Sequence, residues 1–209
     1  PVAIKVMRPE LAATPGIPEQ LLAEARAVNA VRHRNLIDVF GYGTLPDGRP
    51  YLVMELLDGL SLDSVIAEKK RLEVEEGIAV LAELLDALKA VHSAGLVHCD
   101  IKPGNVFVVT PTHGEPYVKL LDFGLSHRTA VAAEGPLAGT PQYMAPEQLR
   151  TEPATAASDV FALGALAYKA YTGAAPYPGG SFLEVAQLQQ KGPPAPLAQL
   201  NPSMPVLLG

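Results

Sequence analysis

The chain reads as an α+β protein with two unequal lobes, a small antiparallel-sheet lobe carrying one helix and a larger, mainly helical lobe. Three observations predict this. Short β-type runs separated by turn residues fill residues 1–57, helical periodicity takes over from Ser61, and two short strands interrupt it within 106–121. The domain division is therefore expected at 1–57 and 58–209.

In the first lobe, residues 2–7 form an alternating β-type run. Pro18 then opens a helix, because proline is tolerated in a first turn, and Leu21, Leu22, Ala25 and Val28 keep helical spacing up to about Arg32. Residues 36–42 and 50–54 are strand candidates, separated by the turn signal Leu45-Pro46-Asp47-Gly48. In the second lobe, Val74, Ile78, Leu81, Leu85, Leu88 and Val91 step by three or four, which predicts one long helix with a single buried stripe, stopped at Gly95. Strands are expected at 106–109 and 117–121, around the loop 111–116. Residues 159–171 are apolar nearly all round, as in a helix buried mid-lobe, and Gly173 ends them. Ser181-Phe182-Leu183-Glu184 fits a capping box opening a surface helix to Lys191, which Gly192 closes. The proline-rich stretch 193–205 reads as an ordered connection.

Composition bounds the function. With 209 residues, 48% apolar and 18% charged, the chain can bury a sizeable core. A net charge of −6 argues against a general nucleic-acid binder, and the longest basic run, Lys69-Lys70-Arg71, reads as a solvated helix end. A single cysteine excludes an intramolecular disulfide framework and a cysteine-cluster zinc site, and it fits a reducing, cytoplasmic compartment. No apolar run approaches the roughly 18 residues of a membrane span, and no signal peptide opens the chain. No membrane contact is expected within this segment, although a cytoplasmic domain of a membrane-anchored protein stays compatible. The chain begins abruptly in strand-like sequence and stops soon after Pro205, as a fragment would.

The chemistry is concentrated in His98-Cys99-Asp100-Ile101-Lys102-Pro103-Gly104-Asn105 and, further on, Asp122-Phe123-Gly124. Transfer of a γ-phosphoryl group needs positioning and neutralised charge more than covalent work by the protein. Asp100 can accept or orient the proton of an attacking hydroxyl, and Lys102 can stabilise the transferring group. Asn105 and Asp122 offer hard oxygen ligands to Mg²⁺. Lys5, in the alternating Val2-Ala3-Ile4-Lys5, projects on the face of Ala3 and can reach nucleotide phosphates, and Glu24 on the next helix could hold it through an ion pair. Taken singly, Lys5 reads better as a solvated strand lysine and Glu24 as a solvent-facing helical glutamate. The ordered set, completed by Ala145-Pro146-Glu147, does not assemble by chance.

In that order the motifs resemble those of eukaryotic-type protein kinases, and Gly139-Thr140-Pro141-Gln142-Tyr143-Met144-Ala145-Pro146-Glu147-Gln148 is especially similar to the bacterial serine/threonine members. The likeness covers essentially the whole chain. It implies the bilobal protein-kinase fold, ATP and Mg²⁺, and protein substrates with serine or threonine acceptors. By motif position it implies that Lys5 binds the α- and β-phosphates with Glu24 as its partner, that Asp100 is the catalytic base with Lys102 beside it, and that Asn105 and Asp122 bind Mg²⁺. It further implies a hinge at 51–57, where the Glu55 carbonyl and the Leu57 amide bond adenine, with Ala3 and Phe107 enclosing the ring. Met54 would sit behind that pocket, a position a plain core methionine also fills. Val28, Val39, His98 and Phe123 would form a packed column anchored on Asp159. Lys102 implies serine or threonine rather than tyrosine acceptors, and Gly104 makes a strong preference for basic substrates unexpected.

The departures are as informative. The family's phosphate-covering glycine loop, which comes before the lysine strand, and its first strands are missing from this sequence, as are the last helices of the large lobe with the arginine that normally pairs with the glutamate at Glu147. The isolated piece is therefore expected to be poorly stable and weakly active. Cys99 stands where the family most often has an arginine that pairs with a phosphate on the activation loop. Between Phe123 and Gly139 only Ser126 and Thr129 could accept a phosphate, so activity is not expected to require loop phosphorylation. Cys99 itself reads as a small packing residue, and His92 as a helix-end capping and packing residue. Two rival readings remain: a pseudokinase scaffold, disfavoured because the six polar site residues are all present, and a small-molecule phosphotransferase, disfavoured by the peptide-docking segment 139–147.

Overall fold

Side-chain alternation makes Val2–Val6 a strand (β1), and it pairs antiparallel with Pro50–Glu55 (β3), which also pairs with Val39–Thr44 (β2). The computed structural model describes residues 1–122, 140–202 and 204; the side chains of Gln20, Leu21, Leu22, Glu24 and Val28 lie outside that description, as do Phe123, Gly124, Ser126 and Thr129. The sheet order is β1-β3-β2, with Ala3 opposite Met54 and Lys5 opposite Leu52. Between β2 and β3, Leu45 N–H donates to the Arg49 carbonyl at 2.8 Å, and Gly48 supplies the positive φ that this tight reversal needs. Pro9–Ala12 (α1) and Ile17–Ala30 (α2) follow β1, and Ile17 and Ala25 pack with Met7 and Leu52 in a small core that Met54 flanks.

β2 starts later than the expected 36–42. Leu36 instead makes an isolated parallel bridge with Leu120, and Ile37 N–H donates to the Leu120 carbonyl at 3.2 Å. The apolar run there is buried in the joint between the lobes, which gives it a strand-like pattern without a strand's partners.

The second lobe has its own antiparallel sheet, Gly59–Ser61 (β4), Val106–Val109 (β5) and Tyr117–Leu120 (β6), in the order β4-β5-β6. Around it lie Leu62–Lys69 (α3), Val74–Ser93 (α4), Pro146–Leu149 (α5), Ala156–Thr172 (α6), Phe182–Lys191 (α7) and Leu197–Leu200 (α8). Ser61 caps α3 by accepting Ser64 N–H at 3.2 Å, and Lys69 at its far end pairs with Glu76 at 2.5 Å, so the basic trio is a solvated helix end. Of the capping box expected at Ser181 one half forms: the Ser181 hydroxyl accepts Glu184 N–H at 3.2 Å, whereas the Glu184 carboxylate accepts Gly180 N–H at 2.8 Å instead of that of Ser181.

α4 and α6 form the core with β5 and β6, through Leu84, Leu88, Val91, Leu163, Leu166, Val106 and Leu120. The buried stripe of α4 differs from the expected one. Ile78 and Leu85 are 50% and 52% exposed, while Gly77, Leu84, Ala87, Leu88 and Val91 face inward. A Cβ at Gly77 would lie 2.3 Å from the Tyr171 ring, so α4 approaches α6 through a residue that has no side chain. A stripe drawn through large apolar residues passes over such a contact.

Candidate active site

The site is organised from a buried carboxylate outward. Asp159, in the first turn of α6 and 1% exposed, accepts His98 N–H on Oδ2 at 2.8 Å and Cys99 N–H on Oδ1 at 2.8 Å, and His92 Nε2 lies 2.8 Å from Oδ2. Charge-assisted bonds of this kind are what make a buried carboxylate tolerable. His92 thus does more than finish α4, the packing role expected of it: its ring joins that helix to the carboxylate that holds the His98 and Cys99 backbone.

His98 is wholly buried. Its Nε2–H donates to the Leu121 carbonyl at 2.8 Å and its Nδ1 accepts Asp100 N–H at 3.3 Å, a pattern that only the neutral Nε2–H tautomer satisfies. Burial pulls the imidazole below its ordinary pKa, against the opposing charge of Asp159. The ring thereby joins the loop before Asp100 to the end of β6, where Asp122 follows.

Asp100 is gripped from two sides. Lys102 Nζ lies 2.7 and 3.0 Å from its carboxylate oxygens, and Asn105 Nδ2 donates at 2.8 Å both to Oδ2 and to the Asp100 carbonyl. The 3-10 turn Pro103–Asn105, closed by Asn105 N–H to the Lys102 carbonyl at 2.9 Å, folds Asn105 back to that position. These bonds use the Asn105 amide nitrogen and leave its oxygen as a ligand group. Asp122 has φ +47 and sits one residue after Leu121, whose N–H donates to the Asn105 carbonyl at 2.8 Å. Its carboxylate is 2.6 Å from Lys5 Nζ, so the small sheet and the larger lobe meet at an ion pair.

Five of the six expected polar residues thus fall into two touching groups, Asp100 with Lys102 and Asn105, and Lys5 with Asp122. The sixth, Glu24, lies on α2, with its side chain outside the described residues. Ala3 is half-buried opposite Met54; Glu55 ends β3, with Leu57 two residues on; and Phe107 is half-buried on β5. Of the expected column, Val39 and His98 are buried, and Val28 and Phe123 lie outside the description. Among the described residues no cluster of three or more His, Cys, Asp or Glu could hold an ion. The oxygen donors of Asn105 and Asp122 suit Mg²⁺, which keeps waters and takes phosphate oxygens rather than filling an all-protein cage.

One group was not foreseen. Lys119 on β6 is 4% exposed, and its ammonium reaches the Leu36 carbonyl at 3.0 Å, the Glu55 carboxylate, and Asp38 at 3.5 Å. Glu55 also accepts Asp38 N–H at 2.9 Å. Beside it, Asn35 donates to Glu83 at 2.5 Å and to the Val118 carbonyl at 2.7 Å. The available signal was a lysine inside the otherwise apolar Val118-Lys119-Leu120-Leu121.

A two-lobed fold that carries an aspartate–lysine–asparagine cluster in its larger lobe and a lysine–carboxylate pair between the lobes is that of a phosphotransferase domain. Residues 1–196 match the protein kinase domain, and the chain belongs to that family. It is 37% identical to the serine/threonine-protein kinase Pkn1 of Myxococcus xanthus, over 99% of this chain and 30% of that protein. It is 40% identical to PknA of Mycobacterium tuberculosis, over 94% of this chain and 46% of that protein. The chain thus spans less than half the length of these curated relatives. Among solved structures, the kinase domain of M. tuberculosis PknI superposes with a TM-score of 0.76 at 25% identity, covering 100% of this chain and 74% of that one.

Proposed function

We propose that the protein carrying this domain transfers the γ-phosphoryl group of ATP to serine and threonine hydroxyls of protein substrates. The observation that carries this reading is the cluster in which Asp100 is held by Lys102 at 2.7 Å and by Asn105 at 2.8 Å. In it Asp100 orients the acceptor hydroxyl and takes its proton, while Lys102 offsets charge on the transferring group. Asn105 and Asp122 would hold Mg²⁺, which neutralises charge on the nucleotide phosphates. Lys5 would leave Asp122 for the α- and β-phosphates, with Glu24 holding it there. Ala3, Phe107 and Met54 would enclose adenine, with the Glu55 carbonyl and the Leu57 amide bonding its edge, and the lobes would divide after residue 57.

No described helix is long and apolar enough to cross a membrane. We place the domain in the cytoplasm, either free or tethered to a membrane by segments outside residues 1–209, without membrane or nucleic-acid contact of its own. The test is a phosphorylation assay on the full-length protein with Mg-ATP, followed by mapping of the modified residues. Asp100→Asn should lower turnover by about 10³-fold or more while nucleotide binding survives, since it removes the base and keeps the shape. Modified tyrosines alone, or equal turnover by the variant, would sink the reading.

A further inference from the structure

We propose that Gln148 is a positioning residue for Asp100, the link through which the substrate-docking segment holds the catalytic loop in shape. This rests on the kinase reading of the site. Cys99, the residue before Asp100, has φ +68, a left-handed conformation that a side chain with a Cβ resists and that its surroundings must impose. Among the described residues, two side chains grip its backbone. Asp159 of α6 takes the Cys99 N–H at 2.8 Å, and Gln148 of α5 donates its Nε2 to the Cys99 carbonyl at 3.1 Å. The orientation of the Gln148 amide is set independently, because its Oε1 accepts Ala145 N–H at 3.0 Å. Its nitrogen is therefore the end that faces the Cys99 carbonyl. With the residue 3% exposed, water cannot easily replace either bond.

The geometry separates the two grips by origin. Asp159 belongs to the central helix, whereas Gln148 closes the run Thr140–Gln148 that leads through the 3-10 turn Pro141–Tyr143 into α5. The peptide joining Cys99 to Asp100 has its carbonyl on Gln148, and its N–H, that of Asp100, rests on His98 Nδ1 at 3.3 Å. Rotation of that peptide would swing the Asp100 carboxylate away from Lys102 and Asn105. Gln148 touches none of the reacting atoms, and it acts by denying that rotation.

Two variants of the full-length protein test this. Gln148→Glu keeps an acceptor for Ala145 N–H and sets an oxygen against the Cys99 carbonyl; Gln148→Met keeps the length and removes both bonds. The readouts are kcat, KM for ATP, and the rate at which iodoacetamide labels Cys99, followed by mass spectrometry of the peptide that carries it. Both variants should lose about tenfold or more in kcat, keep KM for ATP within about twofold, and label Cys99 severalfold faster as the peptide loosens. Labelling and kcat both unchanged in Gln148→Glu would overturn the proposal, as would a rise in KM for ATP that matches the fall in kcat. The labelling rate is independent of turnover. An inactive wild type with faster-labelling variants would refute the kinase reading and leave the positioning role standing; an active wild type with unaltered labelling and kcat would do the reverse.

Discussion

Cys99 and Asp122 both hold left-handed backbone, at φ +68 and +47, and each such residue costs on the order of 1–3 kcal/mol that its neighbours must offset. His98 couples them, since its ring takes Asp100 N–H on one side and gives a proton to Leu121 on the other. That coupling needs a neutral ring, and burial keeps it neutral by lowering its pKa. The unfolded histidine titrates near 6.5, so above about pH 6.5 both states are neutral and His98 adds no pH dependence. Below it the unfolded chain binds a proton that the folded ring refuses, so the His98 contribution to stability is lost as pH falls from about 6.5 towards the lower folded pKa. Ring ¹⁵N spectra should show the Nε2–H tautomer persisting below pH 6.5; protonation at or above that pH would contradict this. Cys99 yields a second expectation, because no arginine is present there to receive a loop phosphate. The double substitution Ser126→Ala with Thr129→Ala should leave turnover of the full-length protein within about threefold, and its abolition would show that a loop phosphate is required.

At the scale of elements, β6 carries the joint between the lobes. Lys119 is buried among Leu36, Glu55 and Asp38, so removing one partner strands a charge, at a cost of roughly 3–5 kcal/mol, whereas replacing the pair with apolar groups can be close to neutral. Lys119→Met should thus lower the unfolding free energy by that much in urea titrations, and Lys119→Met combined with Glu55→Met should recover most of it. If the double variant is no more stable than the single one, the two charges are not coupled. The joint was also the least legible part of the sequence. α4 was readable from its helical period and the stop at Gly95, α6 from an apolar run that ends at Gly173, and α7 from its cap at Ser181 and its close at Gly192. Leu36 and Ile37 repeat nothing: they are buried by contacts with β6 far along the chain, and local pattern cannot report those. The spacing from Asp100 to Lys102 and Asn105 was legible because one short loop contains it. The roles of Lys119, Asn35 and Gln148 were not, since each depends on a carbonyl or carboxylate that only the fold brings near.

At the scale of the whole molecule, the ion pair between Lys5 and Asp122 spans the lobes directly, at 2.6 Å with both side chains about two-fifths exposed. Its two residues come from different lobes, Lys5 on β1 and Asp122 two residues past the end of β6, and have different proposed tasks, phosphate binding and metal binding. Exposed pairs of this kind contribute about 0–1 kcal/mol, so the pair cannot be what holds the lobes together. The buried contacts of Leu36, Asn35 and Lys119 do that, and they leave the Lys5 end of the small sheet free to exchange partners. Stability and ligand response should therefore separate in one variant. Lys5→Met should change the unfolding free energy of the full-length protein by no more than about 1 kcal/mol. Mg-ATP stabilises whichever state binds it, so at 100 times its Kd it should raise the wild-type unfolding free energy by about 2.7 kcal/mol, and the variant's by far less. Thermal unfolding with and without Mg-ATP reads both quantities in one experiment. If Lys5→Met loses several kcal/mol without nucleotide, the pair is a structural tie; if it gains as much from Mg-ATP as the wild type does, Lys5 is not the phosphate ligand.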